Sequence, residues 1–380
     1  MCGVLAMMGA LQSVAGAYLT RRFARRRART YEPHAPVTIL KPLHGDEPLL
    51  TQALGSLCLQ DYPPGYQIVF GVAEGSDAAL TAVRVLGARF PNQDMTVVID
   101  ATRHGTNPKV GNLMNMLPAA KHDILVIADS DVHAPPGYLR RLTEAGDRLG
   151  VGLVTVLYQG RPWVRGLASS LGATQITHGF LPAALLGRFL GRRDCLGATM
   201  CLRRDMLTRI GGFDSLRDHL ADDNVLGRLV RAQGFEVVLA ETVVATTVPE
   251  TTLLSLWRHE LRWARTIRSL EPAGFAASVL QYPLFWAFLA LTASWGGIWA
   301  CGLLILVWAI RAFAAQWIDR SLADVTGGLA FRCPVWLLPL RDVFSAAVWA
   351  VAHFGRQVEW RGQTLDADTP PRFTKGSHAR

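Results

Sequence analysis

Cysteine is sparse in this sequence: six residues in 380, with no Cys-x-x-Cys and no His/Cys cluster at zinc-ligand spacing. That argues against a disulfide-built scaffold and against a zinc module, and it reads the six as free thiols of a reducing compartment. Cys195 and Cys201 are the one pair considered as partners. Internal repeats and low-complexity tracts are also missing, so neither a solenoid nor a disordered linker protein fits. What is abundant is apolar surface. Half of the residues are hydrophobic and the mean hydropathy is +0.20, high for a purely soluble enzyme. The net charge is +9, a balance that suits nucleic acid, an anionic membrane or a phosphorylated substrate. The densest basic run, Arg21 to Arg29, directly follows an apolar segment. That placement favours a membrane and no nucleic acid.

Residues 2–19 form that apolar segment, close to the roughly 20 residues a span needs. Positive charge follows it rather than preceding it, which favours an anchor over a signal peptide. The positive-inside rule then places the amino terminus outside and the following chain in the cytoplasm. Two longer apolar runs, 275–293 and 297–317, are separated by Ser294, Trp295 and Gly296 and read as a helical hairpin. Trp286, Trp295, Trp299 and Trp317 suit either interfacial positions or plain packing. A third run, 334–354, carries Arg341 and Asp342 in its middle. Charges at bilayer depth are costly unless paired, so this run reads as re-entrant or interfacial. A basic tail follows it, with Arg356, Arg361, Arg372, Lys375 and Arg380. The expected organisation is an anchor over 1–20, a catalytic domain over 35–270, a membrane region over 273–355 and a cytoplasmic tail over 356–380. The whole is expected to be a multi-pass protein of the inner (cell) membrane with its catalytic domain in the cytoplasm.

Between residues 35 and 270 the pattern becomes alternating strands and helices. Strands are expected at 37–43, 67–73, 95–100 and 123–129, and helices at 47–60, 77–90 and 109–120. That rhythm means an α/β domain with a mainly parallel sheet. The near-continuous apolar strands are those of a sheet covered on both faces. Ligands of such sheets sit beyond the carboxyl ends of the strands, where Glu74, Asp100 and Asp129 fall.

The stretch Ile124 to Leu139, "ILVIADSDVHAPPGYL", runs a buried strand straight into two carboxylates. Asp129 and Asp131 are spaced to hold a hard divalent cation together with a diphosphate and water; an exposed turn is the alternative. Glu74 and Asp77 follow the second strand and suit either nucleoside polar groups or a helix cap. Lys109 opens a helix whose amides, with the ammonium, suit a diphosphate; it also reads as a surface lysine. Asp222 and Asp223 head an amphipathic helix, either as macrodipole partners or as a general base. "WRHELRWARTIR" (257–268) reads as a snorkelling interfacial helix. Alternatively His259, Arg262 or Arg265 faces a leaving diphosphate, with Trp263 walling an acceptor pocket.

The ordered set "KPLHGDEP", "DYPPGYQIVFGVAEGSD", "NPKVGNLMNM", "IADSD", "ADDN" and "LRWARTIR" resembles glycosyltransferase families 2 and 21 of the ceramide glucosyltransferase type. The likeness covers about residues 37–270. It implies a GT-A (Rossmann-like) domain, a UDP-sugar donor, a divalent metal (Mg2+ or Mn2+), a membrane lipid acceptor and inversion at the anomeric carbon. Residue by residue it puts Pro42, Glu74, Asp77, Lys109 and Asp129 with the nucleotide sugar, and Asp131 and Asp129 on the metal. Asp223 is then the base with Asp222 beside it, and Arg262 and Trp263 close the (Q/R)xxRW motif. Two departures stand out: Glu74 replaces an aspartate, and His259 occupies the Gln/Arg position. Within the group the pattern is most similar to the bacterial hopanoid-biosynthesis branch, which implies N-acetylglucosamine transfer to a polyhydroxylated hopanoid such as bacteriohopanetetrol. Rival readings are another glycolipid glucosyltransferase, a polysaccharide synthase, a non-catalytic membrane scaffold that binds nucleotide sugars, and a metal-dependent phosphatase with a nucleophilic aspartate.

Overall fold

The computed structural model describes residues 1–26, 32–323, 325–326 and 331–355, and the backbone alone of 357–360 and 363–366. Arg27 and Arg29 of the basic run, and the tail residues Arg356, Arg361, Arg372, Lys375 and Arg380, lie outside the described residues.

In chain order, a long helix α1 (Cys2–Ala24) precedes β1 (Val37–Pro42), α2 (Leu50–Leu57), β2 (Tyr66–Val72), α3 (Ala79–Arg89), β3 (Asp94–Ile99), α4 (Pro108–Met116) and β4 (Ile124–Ala128). These are the strands and helices read from the sequence, with ends moved by a few residues. Then come β5 (Val132–His133), α5 (Tyr138–Gly146), β6 (Val151–Pro162), α6 (Leu167–Gln175), α7 (Leu181–Phe189), β7 (Thr199–Arg203), α8 (Arg204–Arg209), α9 (Asp222–Ala232) and β8 (Glu236–Val248). All eight strands form one sheet in the order β3-β2-β1-β4-β7-β6-β8-β5. The first four are parallel. β7 then runs antiparallel to both β4 and β6, while β6 and β8 pair parallel. The sheet is therefore mixed: the first four strands and the β6–β8 pair are parallel, and β7 and β5 run antiparallel to their neighbours.

The apolar strands are explained by two packed faces. Along β1, Val37 and Ile39 enter one core with Leu54, Phe70 and Tyr138, while Leu40 enters the other with Val69, Val110, Leu113 and Leu226. β3 is the edge strand and alternates exposed with half-buried positions. α4 lies hard against β2. A Cβ at Gly71 would stand 2.3 Å from Asn112 Oδ1, and Asn112 instead donates to the Gly71 carbonyl at 2.8 Å.

The carboxyl-terminal part holds α10 (Leu253–Leu270), α11 (Pro272–Ala277), α12 (Pro283–Ala293), α13 (Ile298–Leu322) and α14 (Leu338–Ala352), followed by a hairpin of β9 (Gln357–Trp360) and β10 (Gln363–Asp366). α1, α13 and the segment Val335–Ala352 are long and apolar enough to cross a membrane. The first arm of the expected hairpin is not one straight helix. It is bent by 65° between Pro272–Gln281 and Pro283–Ala293, because Pro283 lacks an amide hydrogen and disfavours helix at Tyr282. The freed amide of Leu284 donates to the Asp342 carboxylate at 3.1 Å. α1 meets this break so closely that a Cβ at Gly9 would lie 2.2 Å from the Leu280 carbonyl oxygen.

The two charges of the third run do not pair with each other. Asp342 lies 3.6 Å from Arg311, and Arg341 pairs with Glu260 at 2.7 Å. Trp295 and Trp299 stand exposed at the hairpin tip, whereas Trp286 donates to the Val279 carbonyl. α1 and α13 run parallel, with Gly3 against Leu303 at one end and Arg21 over Trp317 at the other. Their second halves rest on the α/β domain: Ala17, Phe23, Ala314 and Ile318 share a core with Leu181 and Leu185 of α7, Leu157 of β6 and Val243 of β8. Cys195 and Cys201 are not joined; all six cysteines are free.

Candidate active site

At the carboxyl end of β4 the chain leaves the sheet, and its next backbone groups are taken by three other elements. The Asp129 amide donates to the Ala198 carbonyl before β7, and the Thr247 amide of β8 donates to the Asp131 carbonyl at 3.3 Å. The buried Lys41 of β1 donates from Nζ to the Asp129 carbonyl. The Asp-Ser-Asp turn is thus fixed by the sheet that delivers it, and both carboxylates project into one cavity of about 460 Å³.

Helix α4 brings the cation. Asn107 caps it by accepting from the amides of Lys109 and Val110, and Pro108 fills the first turn. Lys109 Nζ stands 2.7 Å from Asp129 Oδ1 and 3.4 Å from Asp222 Oδ2. Burial works against the ammonium charge, but Asp129 and Asp222 outweigh it and raise the Lys109 pKa above its ordinary value. Two of the four lysines in the chain therefore meet at Asp129, one on its carbonyl and one on its carboxylate.

Helix α9 opens on Asp222 and Asp223 at its positive end. Burial, then the neighbouring Asp222, push the Asp223 carboxyl up to about 7, against the pull of Lys109. Burial likewise raises Asp222, opposed by Lys109. Asp131 is pushed up to about 7 by burial and then by the like charges of Asp129 and Glu47. Lys41, behind the wall, is lowered to about 8 by burial.

Helix α10 closes the opposite wall. Thr252 and Ser255 form a reciprocal cap at its start. His259, Glu260, Arg262 and Trp263 all line the cavity. His259 Nδ1 bonds to the Glu250 carboxylate, its ring packs edge-on to Trp263 at 4.6 Å, and its Nε2 is buried with no partner.

Of the residues singled out from sequence, Pro42, Lys109, Asp129, Asp131, Asp222, Asp223, His259, Arg262 and Trp263 line this one cavity. Glu74 and Asp77 do not. Glu74 is exposed beyond β2. Asp77 accepts from the Gly45 and Ala79 amides, so it ties the loop after β1 to the start of α3. Sequence reasoning passed over Lys41, Glu47, Tyr158, Gln175 and Glu250, which lie in or behind the wall. Lys41 sits inside the quoted "KPL", and a lone lysine in an otherwise apolar strand was its only signal.

The donor set suits a hard cation shared with a ligand. Among the described residues no three His, Cys, Asp or Glu side chains are gathered as a ready protein-only cage. Asp131, with Asp129 and Glu47 near it, forms an acidic wall whose oxygens would leave further coordination positions to phosphate and water.

With this geometry in place, comparison with known proteins identifies the fold family. The profile of glycosyl transferase family 21 matches residues 4–372. Ceramide glucosyltransferase 1 of Caenorhabditis elegans is 25% identical over 255 residues, covering 66% of this chain and 54% of that protein. Ceramide glucosyltransferase of Candida albicans is 33% identical over 120 residues, 29% of this chain and 22% of that protein. The alignments thus span about half the length of these relatives, or less. Among solved structures, a mannosyltransferase from Pyrobaculum calidifontis, in complex with GDP-Man and Mn2+, superposes with a TM-score of 0.50 at 17% identity, over 93% of this chain and 99% of that one. The fold is GT-A: a mixed sheet with covering helices, flanked by apolar helices at both ends of the chain.

Proposed function

The chain belongs to glycosyl transferase family 21, and from that premise we propose that it transfers a sugar from a UDP-sugar to a hydroxyl of a membrane lipid, with inversion and with a divalent metal. The observation that carries the reading is the shared cavity. Asp129 with Asp131, Asp223, and the Arg262–Trp263 pair come from three distant parts of the sequence and line one space of about 460 Å³.

Asp131, with the free oxygen of Asp129, would hold Mg2+ or Mn2+. When bound, the cation supplies charge neutralisation to the diphosphate. Lys109 holds Asp129 and Asp222 in place and keeps a positive charge beside the phosphate path. Pro42 and the residues around it wall the nucleotide side, and Glu74 and Asp77 stay outside the cavity.

On the opposite side Asp223 takes the proton of the acceptor hydroxyl as that oxygen attacks the anomeric carbon. The bond from that carbon to the diphosphate oxygen breaks, and its electron pair leaves with UDP. Attack from the face opposite the leaving group inverts the centre. Arg262 and His259, which line the same cavity, would serve as donors to the departing diphosphate. Trp263 walls the acceptor.

α1 and α13 both end on the catalytic-domain side, in arginines 21, 22, 25 and 26 and in Arg320. This supports a catalytic domain on the cytoplasmic face of the cell membrane. The acceptor would enter from the apolar helices beside α10. The resemblance to the hopanoid-biosynthesis branch supports N-acetylglucosamine as the sugar and a polyhydroxylated hopanoid as the lipid.

The test is a direct assay. The protein in detergent is incubated with a lipid extract and UDP-N-acetylglucosamine, UDP-glucose or UDP-galactose, with UDP release and lipid masses followed together. A lipid gaining one sugar supports the reading. UDP release without a glycolipid, release of inorganic phosphate, or a polymeric product would sink it.

A further inference from the structure

A second cleft lies away from the sugar cavity, where α1 and α13 leave their apolar stretches. It has a volume of about 340 Å³ and is lined by Arg21, Arg25, Phe313, Trp317, Arg320 and Ser321. We propose that this cleft binds the phosphate headgroup of an anionic phospholipid.

Charge comes first. Three guanidiniums from two helices converge here, and among the described residues no carboxylate pairs with them. The neighbouring acids among the described residues are turned elsewhere. Asp319 accepts from His178 and from the Cys333 amide. Glu241 faces Arg26 and Arg148. Like charges held together without a counter-ion are unfavourable, so the arrangement is complementary to a ligand with concentrated negative charge. Arginine is also the side chain whose planar fork fits phosphate oxygens two at a time.

The floor has the other half of the chemistry. Arg21 lies over the Trp317 ring at 5.8 Å and is thereby oriented toward the cleft. Trp317 Nε1 is buried without a partner, a donor that a phosphate or glycerol oxygen would satisfy. Phe313, exposed, lies two helical turns before Arg320, about 10 Å along the axis at 1.5 Å per residue. Beyond it α13 continues with exposed Leu306, seven residues before Phe313 and so on the same face, and α1 offers exposed Leu11. A diacyl chain can lie along this apolar face while its phosphate meets the arginines. Free phosphate would use only one end of the cleft, so the ligand assigned is the lipid. Basic pockets between helix ends at a membrane surface suit such headgroups on general grounds.

The test uses the full chain in a neutral detergent. Thermal unfolding is followed while dioleoylphosphatidylglycerol, dioleoylphosphatidylcholine or inorganic phosphate is titrated. Wild type is compared with Arg21→Gln/Arg25→Gln/Arg320→Gln, and with a control losing three charges elsewhere, Arg84→Gln/Arg89→Gln/Arg209→Gln. Phosphatidylglycerol should raise the unfolding temperature of wild type and control at low mole ratio. The cleft variant should need about tenfold more lipid or greater for the same rise. If that variant fails to fold, the single changes Arg25→Gln and Arg320→Gln, at exposed positions, carry the comparison. Native mass spectrometry should then show one fewer tightly retained phosphatidylglycerol. Equal stabilisation by phosphatidylcholine or by inorganic phosphate, or an unchanged titration in the cleft variants, overturns the proposal.

Discussion

Arg341 of α14 and Glu260 of α10 are joined by two parallel hydrogen bonds of 2.8 and 2.7 Å, both residues buried. Arg341 also donates to Ser345 and to the Leu171 carbonyl, and Ser345 donates to Gln175. One guanidinium therefore ties an apolar helix to the helix that carries His259, Arg262 and Trp263, and to α6 on the far side. The apolar carboxyl-terminal helices are built into the wall of the acidic cavity.

Removing one partner should be worse than removing both. Arg341→Met leaves the Glu260 carboxylate buried and uncompensated, a loss of about 3–5 kcal/mol. Arg341→Met/Glu260→Gln, with neither charge of the pair left, should recover much of it. Thermal unfolding in detergent measures both. Equal destabilisation by the single and the double change would show that packing, not charge, holds the joint.

Asp223→Asn tests the base. The amide keeps the shape of the side chain but cannot accept the hydroxyl proton, so turnover should fall about 10²–10⁴-fold. Donor binding should be nearly unchanged, read by calorimetry with UDP. Near-normal turnover would remove Asp223 from the chemistry.

Lys109→Met should act on binding rather than on the proton. Without the ammonium, Asp129 and Asp222 face each other with no cation between them, and the donor diphosphate meets unrelieved negative charge. Affinity for UDP should fall about tenfold or more, the order expected for loss of a charge-assisted contact. A KM for the lipid acceptor that rises while donor affinity stays fixed would contradict this.

Much of this arrangement was legible in the sequence, for identifiable reasons. The parallel half of the sheet was readable because its strands are short apolar runs separated by helices of clear period, as at Ile124–Ala128. β7 was not, because "TMCLR" has neither alternation nor β-branched enrichment, and its antiparallel partners lie far off in sequence. Asp129, Asp131 and Asp223 stood out because they fall at a strand end and a helix start, and Arg262, in the middle of α10, because of the motif it closes. The partners Glu250 and Gln175 could not, since only the tertiary fold brings them to His259 and Ser345. The bend at Pro283 was available in principle from the proline, but an uninterrupted apolar run over 275–293 masked it.

Chelation should abolish activity and restore it on adding back Mn2+ or Mg2+, with Asp131→Asn needing more metal than wild type. Asp129 is held by Lys109 at 2.7 Å, whereas Asp131 makes no ion pair among the described residues and feels Lys41 only as a nearby charge, so Asp131 is the carboxylate assigned the larger share of the cation. Full activity in excess chelator would contradict the metal assignment.

The pH dependence follows from Asp223. Burial and the Asp222 charge raise its carboxyl from 3.8 to about 7, so the ionised base is a minority species below neutrality. kcat/KM should fall about tenfold per pH unit on the acid side of 7 and level off above it. Stability should move the opposite way. Between about 4 and 7 the native state holds a proton that the unfolded chain has lost. The contribution is therefore fully present below pH 3.8 and is lost as pH rises through 7. Asp223→Asn should flatten that share of the stability profile while its residual turnover loses the acid limb. Paired rate and unfolding profiles of the two proteins read this directly. An acid limb that persists near pH 7 in the asparagine variant would assign the titration to another group.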